Sequence, residues 1–354
     1  LKTLSTGRGN IRRPAGVRNW RRSIAPELTT QLMNNHILHD HSGDGIDRRG
    51  FLKCMAWAGT GVLWSINSGV LSSRALGQTE GVAPAREVPA GTLNFVQISD
   101  SHIGFHKPAN ADVAATFRET VSRINRLPVA PEFILHTGDL THLAEASEFD
   151  GLEQMLKDCR TRQVFYVPGE HDILNDNGAQ YRERFGKGTH GAGWFSFDQK
   201  GVHFVGLVNV QGVTEGGLGI MGAEQLDWLA KDLAALSAET PLVVFAHVPL
   251  WMVYPQWGWG TDDGAKALAL MKRFGSVTVL NGHIHQALQK VEGNITFHTA
   301  RSTAFPLPEP GKAPKPGPML VEAPKLRSFL GLTSVSYLEN HPTLAIVDST
   351  LASR

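Results

Sequence analysis

The sequence predicts an α/β protein in which two mixed β-sheets pack face to face and helices cover their outer surfaces. Three observations predict it. Short β-branched and aromatic runs alternate with helical apolar spacing in the first half of the region after residue 90, which implies parallel strands joined by helices. Strands and a hairpin signal dominate later, which implies antiparallel pairing. Acidic and imidazole side chains follow several apolar strands, which gathers them at one sheet edge. With 354 residues, 42% of them hydrophobic, there is ample material for a core. The formal net charge of +1 gives no reason to expect nucleic acid as a partner.

Residues 1–46 form a basic, aperiodic stretch in which Arg8, Arg12, Arg13, Arg18, Arg21 and Arg22 are balanced by little acid. The chain starts at Leu1, and translation is expected to begin at or near Met33; the alternative is a disordered basic arm. Residues 47–77 read as an export signal. Asp47-Arg48-Arg49-Gly50-Phe51-Leu52-Lys53 resembles the twin-arginine consensus, Cys54 to Ser73 carries no charge, and Ala75-Leu76-Gly77 offers small residues for a peptidase. Asn67 and the Ser and Gly content make this stretch a poor membrane span, so no stable span is expected. The resemblance implies the twin-arginine export machinery as a partner and a periplasmic or otherwise exported location. A mature chain would keep only Cys159, which excludes an intrachain disulfide. Residues 78–90 are an Ala-, Pro- and Glu-rich linker, and 91–354 form the folded domain.

Within that domain Leu93 to Ser99 reads as a strand ending at Asp100-Ser101-His102, and Val113, Phe117, Val121 and Ile124 as a helix. Phe133 to His136 is a strand ending at Gly138-Asp139, followed by a helix through Phe149, Leu152 and Leu156. Val164 to Val167 ends in the turn Pro168-Gly169-Glu170-His171-Asp172. Trp194 to Phe197 and Val202 to Val205 flank Gln199-Lys200-Gly201, a hairpin signal. Leu226, Leu229, Leu233 and Leu236 mark a helix, and Leu242 to Phe245 a strand reaching His247. Ala267, Met271 and Phe274 mark a further helix, and Val277 to Leu280 a strand leading to Gly282-His283-Ile284-His285. Ile295 to His298, Val335 to Tyr337 and Leu344 to Val347 complete the strands, with a Pro-rich loop from Pro306 to Pro324.

Five strand ends therefore carry Asp100 with His102, Asp139, Glu170 with His171, His247, and His283 with His285. Residues two apart in an extended segment point the same way, so Asp100 and His102, and likewise His283 and His285, are expected to reach one site. Imidazole mixed with carboxylate suits Zn, Fe, Mn or Co, and the donors are too many for one tetrahedral ion. Two ions sharing a carboxylate would use them all.

In order and spacing, from Leu93 to Thr299, these motifs resemble the calcineurin-like metallophosphoesterases, most closely the bacterial cyclic-nucleotide and glycerophosphodiester phosphodiesterase branch. The resemblance implies the family's four-layer α/β/β/α sandwich and two divalent or mixed-valence ions of Fe, Mn or Zn. It implies that Asp100, His102 and His285 hold the first ion, that Asp139 bridges, and that Glu170, His247 and His283 hold the second. His171 would assist the leaving-group oxygen, with Asp172 orienting its ring. Glu170 departs from the family, which has Asn there; it is expected to remain a ligand in a tighter site. His142 stands where purple acid phosphatases have a ligating Tyr, so no purple colour is expected.

The physical logic is independent of the family. A phosphoester is an anion, and its attack by water needs neutralised oxygens and a deprotonated nucleophile, both of which two metals supply. A leaving alkoxide needs a proton, which an imidazole can give near neutral pH. The expected function is hydrolysis of a small-molecule phosphodiester, with a phosphomonoesterase and a non-catalytic metal-binding relative as alternatives. His106, His136 and His142 are candidate substrate or supporting groups, and His203 and His298 structural ones. The aromatic segment Trp251 to Trp259 offers either a wall for the substrate's organic part or packing against the core.

Overall fold

The computed structural model describes residues 61–67, 70–76, 91–212, 217–338 and 344–353. The basic stretch, the paired arginines and the linker lie outside the described residues. Within the expected signal, the backbone of β1 (Gly61–Asn67) pairs antiparallel with β2 (Val70–Leu76). Among the described residues no helix is long and apolar enough to cross a membrane.

The domain that follows is built from β3 (Thr92–Ile98), α1 (Val113–Asn125), β4 (Phe133–His136), α2 (Ala146–Leu156), β5 (Val164–Tyr166), α3 (Ala179–Phe185), β6 (Phe195–Gln199) and β7 (Val202–Gly206). It continues with α4 (Ala223–Ala234), β8 (Leu242–Ala246), α5 (Gly264–Met271), β9 (Val277–Asn281), β10 (Gln289–Glu292), β11 (Ile295–Thr299), α6 (Leu326–Phe329), β12 (Gly331–Leu338) and β13 (Ala345–Thr350). The first sheet has the order β13-β12-β3-β4-β5 and the second β10-β11-β9-β8-β7-β6. Both are mixed: β3, β4 and β5 run parallel while β12 and β13 add antiparallel, and β7, β8, β9 and β11 run parallel between antiparallel β6 and β10.

Strand alternation explains the layering. In β3, Leu93 and Phe95 turn towards the second sheet and share a core with Phe133, Phe204, Val243 and Phe245. Val96 and Ile98 turn the other way, against Phe117, Val121 and Ile124 of α1 and Phe149 and Leu152 of α2. The second sheet repeats the pattern, with Val244, Val279 and Phe297 packed on Leu229 and Leu233 of α4 and on Met271 of α5. Each fully buried Leu, Ile or Phe of these layers contributes roughly 1.5–3 kcal/mol. Helix α1 starts where it does because the Asp112 carboxylate accepts the Ala115 N–H at 2.9 Å.

Three details depart from the expected pattern. The later strands are not all antiparallel, since β11 returns parallel to β9 after the β10 hairpin. Strand β10 is exposed along its length and carries no apolar alternation to announce it. Helix α3 buries only Tyr181 fully, which leaves no helical stripe. The expected hairpin forms as read, with Lys200 and Gly201 at φ 46° and 76° in the turn between β6 and β7.

Candidate metal centre

The carboxyl ends of β3, β4, β5, β8 and β9 meet at one edge shared by the two sheets, and there the backbone is bent into unusual shapes. Eight non-glycine residues among those described have positive φ, and five of them are Asp100, His102, Asp139, His283 and His285. Left-handed backbone costs an L-residue on the order of 1 kcal/mol, and such strain persists where surrounding contacts over-determine it. Here the Asp100 N–H donates to the Gly138 carbonyl at 3.0 Å and the His102 N–H to the Asp139 carbonyl at 2.9 Å. The convergence of Asp100 with His102 therefore does not come from extended alternation. Tight left-handed turns deliver both side chains, while Ser101 between them bonds the buried His136 ring. Glycine is required beside these turns: a Cβ at Gly138 would collide with the His247 ring, and one at Gly169 with Asp139.

All seven side chains expected as ligands come together. Asp100, His102 and His285 form one group, with His285 Nε2 3.3 Å from Asp100 Oδ1 and 3.2 Å from His102 Nε2. Glu170, His247 and His283 form another, with Glu170 Oε2 3.1 Å from His247 Nε2 and Oε1 3.0 Å from His283 Nδ1. Asp139 lies between them, its Oδ2 3.5 Å from His102 Nε2 and 3.3 Å from His247 Nε2. Ligands about 2.0–2.2 Å from one ion lie roughly 3–3.5 Å from each other, so these spacings match the edges of coordination polyhedra. Glu170, one methylene longer than Asp, still ends between the two histidines.

The rings are aimed by carbonyls. His247 Nδ1 donates to the Thr137 carbonyl at 2.7 Å and His285 Nδ1 to that of Phe305, which turns both Nε2 atoms inward. The buried Glu170 Oε2, His247 Nε2 and His283 Nδ1 make no hydrogen bond among the described residues although they face one another closely. Buried polar atoms left this way need a partner, and a cation held by Glu170, His247 and His283 supplies it. The donor set fits two ions.

Electrostatics agrees. Burial raises the Asp100 carboxyl, but the charge and hydrogen bond of His285 and the charge of His247 outweigh it and hold it below its usual value. For Glu170, too, burial is outweighed, by His283 and His247, which hold it well below. His247 goes the other way: burial lowers it, yet Asp139 and Glu170 push it well above an ordinary imidazole. His102 is held well below its usual value by burial, then by the charges of His171 and His285, and so offers a neutral ring.

His171 stands at the half-buried side of this centre, 4.7 Å from the His102 ring. Its Nδ1 donates to the His142 carbonyl at 2.7 Å, and the His142 ring stacks on it at 5.0 Å. This corrects the expectation that Asp172 orients the ring. The Asp172 carboxylate is fully buried and already saturated, accepting from the N–H groups of Leu140, Thr141 and Gly169 at 2.8–3.1 Å and from the Thr141 hydroxyl at 2.8 Å. It clamps the Asp139 loop to the Glu170 loop. Burial and then the charge of Asp139 push it up to about 7 despite those donors.

The other candidates separate cleanly. His106 is exposed on its own loop. His203 is held by Asp198 and Asp232, and His298 by Asp348. The aromatic segment is packing: Trp257 and Trp259 are buried against Ile284, and Trp251 packs on Phe297. Sequence reasoning missed the carbonyls of Thr137, His142 and Phe305 as ring-orienting groups. Phe305 lies just before the Pro-rich loop, where no residue pattern marks it.

The family description "Calcineurin-like phosphoesterase" matches residues 93–287, more than half of the chain. A 3',5'-cyclic-nucleotide phosphodiesterase of Nostoc is 26% identical over 60% of this chain and 79% of its own. A probable glycerophosphodiester phosphodiesterase of Arcobacter nitrofigilis is 24% identical over 58% and 77%. Among solved structures, a dimetal phosphatase from Danio rerio shares the fold with a TM-score of 0.57 at 14% identity, covering 73% of this chain and 96% of that one. With residues able to hold metal gathered where the matched motifs end, the chain belongs to the calcineurin-like phosphoesterase family and is a metal-dependent hydrolase of phosphoric esters.

Proposed function

We propose that this enzyme is an exported phosphodiesterase with a dinuclear centre, in which His171 assists the leaving group. The observation that carries the reading is the pair of three-residue groups on either side of Asp139, with the inward Glu170 Oε2, His247 Nε2 and His283 Nδ1 of one group lacking hydrogen-bond partners, beside the His171 imidazole, which belongs to neither of these two groups. Asp100, His102 and His285 would hold one ion and Glu170, His247 and His283 the other, with Asp139 shared. The chemistry such ions supply is neutralisation of phosphoryl oxygens and acidification of water towards a pKa of about 7.

The protein's own part is positional and acid–base. The carbonyls of Thr137 and Phe305 fix the His247 and His285 rings before any ion arrives. With Nδ1–H committed to the His142 carbonyl, His171 keeps Nε2 for the substrate, where it would donate a proton to the departing alkoxide. Asp139 and Glu170 hold the His171 ring above its ordinary value against the opposing effect of burial. Glu170, His171 and His283 are the less buried members of the cluster, so substrate would approach from their side.

The twin-arginine stretch at residues 47–77 supports export and the alternation of strands and helices after residue 90 supports a domain of residues 91–354. The test of the chemistry compares bis(p-nitrophenyl) phosphate with p-nitrophenyl phosphate after reconstitution with Mn, Fe or Zn separately. Diester preference is expected. Monoester preference would move the assignment to a phosphatase, and no turnover with any metal would favour a binding role. His171→Ala should keep two ions per chain and lose about 100-fold or more in turnover; an unchanged rate would remove His171 from the mechanism. Export is checked by fractionating cells that express the full chain against Arg48→Lys/Arg49→Lys, which should retain the protein in the cytoplasm.

A further inference from the structure

Gln97 is a fully buried amide that the proposed chemistry does not use. It lies in β3 between Phe95 and Ser99, on the face turned towards the second sheet. Its Nε2 donates to Thr137 Oγ1 at 3.0 Å and to the Asn281 carbonyl at 3.1 Å. Both partners are fully buried, and each stands two residues before an expected ligand, Asp139 in one case and His283 in the other.

Their further bonds lead to His247. The Thr137 carbonyl accepts the His247 Nδ1–H at 2.7 Å. The Asn281 side chain donates to the carbonyls of Ala246 and Val248, the neighbours of His247, at 2.9 and 3.1 Å. Two amides in series, Gln97 and Asn281, therefore join the roots of three ligand-bearing loops, one from the first sheet and two from the second. The apolar packing between the sheets is non-directional and does not by itself fix how they slide against each other. A two-bonded amide with both acceptors buried does fix it. The amide can make this pair of bonds in one orientation only, because a carbonyl oxygen cannot donate to the Asn281 carbonyl.

We propose that Gln97 is a positioning residue that sets the spacing between the first-sheet and second-sheet ligands of the metal centre, acting through Thr137 and Asn281. This rests on reading the centre as dinuclear. Neither bond touches an ion or a substrate, so the effect should appear first in metal affinity.

The test is calorimetric titration of the metal-free full chain with Mn, alongside Mn electron paramagnetic resonance, for wild type, Gln97→Met, Thr137→Val and the double variant. Met keeps the volume of Gln97 but cannot donate, and Val removes only the Thr137 hydroxyl while leaving its carbonyl to His247. Each single variant is expected to weaken Mn binding at least tenfold and to alter the spin-coupled Mn signal. The double variant should be little worse than Gln97→Met, because Thr137→Val removes a bond that Met has already removed along with the one to Asn281. Unchanged affinity and signal in both single variants, even with lowered stability, would overturn the proposal and leave Gln97 a structural amide. If Gln97→Met fails to fold, Thr137→Val decides alone. A wild type that binds one ion instead of two would sink the dinuclear reading, and the affinity ratio for that single ion would still decide the role of Gln97. A wild type that binds none would overturn both.

Discussion

Asp172 and His171 are neighbours on one short turn, Glu170 to Ile173, yet their surroundings give them different work. Asp172 accepts three buried backbone N–H groups and a hydroxyl, and truncating it strands those donors without water to replace the carboxylate. Asp172→Ala should therefore lower unfolding free energy by about 2–4 kcal/mol in urea titrations, from roughly 1–3 kcal/mol per stranded group with partial relaxation. A variant as stable as wild type would show that the two loops are held otherwise. Glu170 illustrates a different point at the same scale. Its extra methylene moves the carboxylate off the backbone far enough to lie 3.0–3.1 Å from both His283 and His247, so one side chain answers two imidazoles. Where the family has a neutral amide, this site carries another negative charge, which favours cation retention and opposes an anionic substrate.

At the level of elements, the strands and helices that flank buried surfaces were legible because burial imposes period. The apolar alternation of β3 and the 3.6-residue spacing of α1 and α4 state their inward faces directly. What escaped was whatever lacks a buried stripe: β10 with its four exposed residues, and α3. The ligands were legible because their residue types are chemically marked, while the means that bring Asp100 and His102 together were not. Left-handed φ at both residues comes from bonds to Gly138 and Asp139 some forty positions away, a tertiary fact no local pattern carries. A comparable tertiary clip holds the β6–β7 hairpin to α4. His203 in β7 bonds Asp198 at 2.8 Å and Asp232 of α4 at 3.0 Å. Burial lowers the His203 ring, but the two acids outweigh it and raise it above 6.5. Its folded-state value exceeds the unfolded one, so its stabilisation is full below about pH 6.5 and is lost as pH rises through the folded value. His203→Gln should therefore lower the Tm at pH 6 and have a smaller effect at pH 9, with a contribution of roughly 1 kcal/mol because Asp198 is largely exposed. Equal differences at both pH values would mean the ring acts by packing alone.

For the whole molecule, the decisive balance is between a core that needs no help and an edge that does. The two sheets bury a continuous apolar layer, and the outer helices close it on both sides, so the domain is expected to fold without metal. At the carboxyl edge, however, Asp100, Asp139 and Glu170 face a shared space with only imidazoles between them. Asp139 and Glu170 accordingly push the buried His247 ring well above an ordinary imidazole. An ion that binds the folded chain and not the unfolded one stabilises by mass action, about 2.7 kcal/mol for each site at a hundredfold excess over Kd. Two sites filled to that extent give about 5 kcal/mol, which for a domain of this size corresponds to a Tm rise on the order of 10 °C. Differential scanning of the protein after EDTA treatment, and again after adding Mn or Zn, should show that rise, and its size should grow with the logarithm of free metal. Because the strained turns at Asp100 and His102 are fixed by protein bonds rather than by ions, the far-UV spectrum should be the same with and without metal. A Tm that ignores metal would mean that the ions bind too weakly to stabilise the fold; a far-UV spectrum that changes would mean that the ions, and not the bonds to Gly138 and Asp139, build the turns.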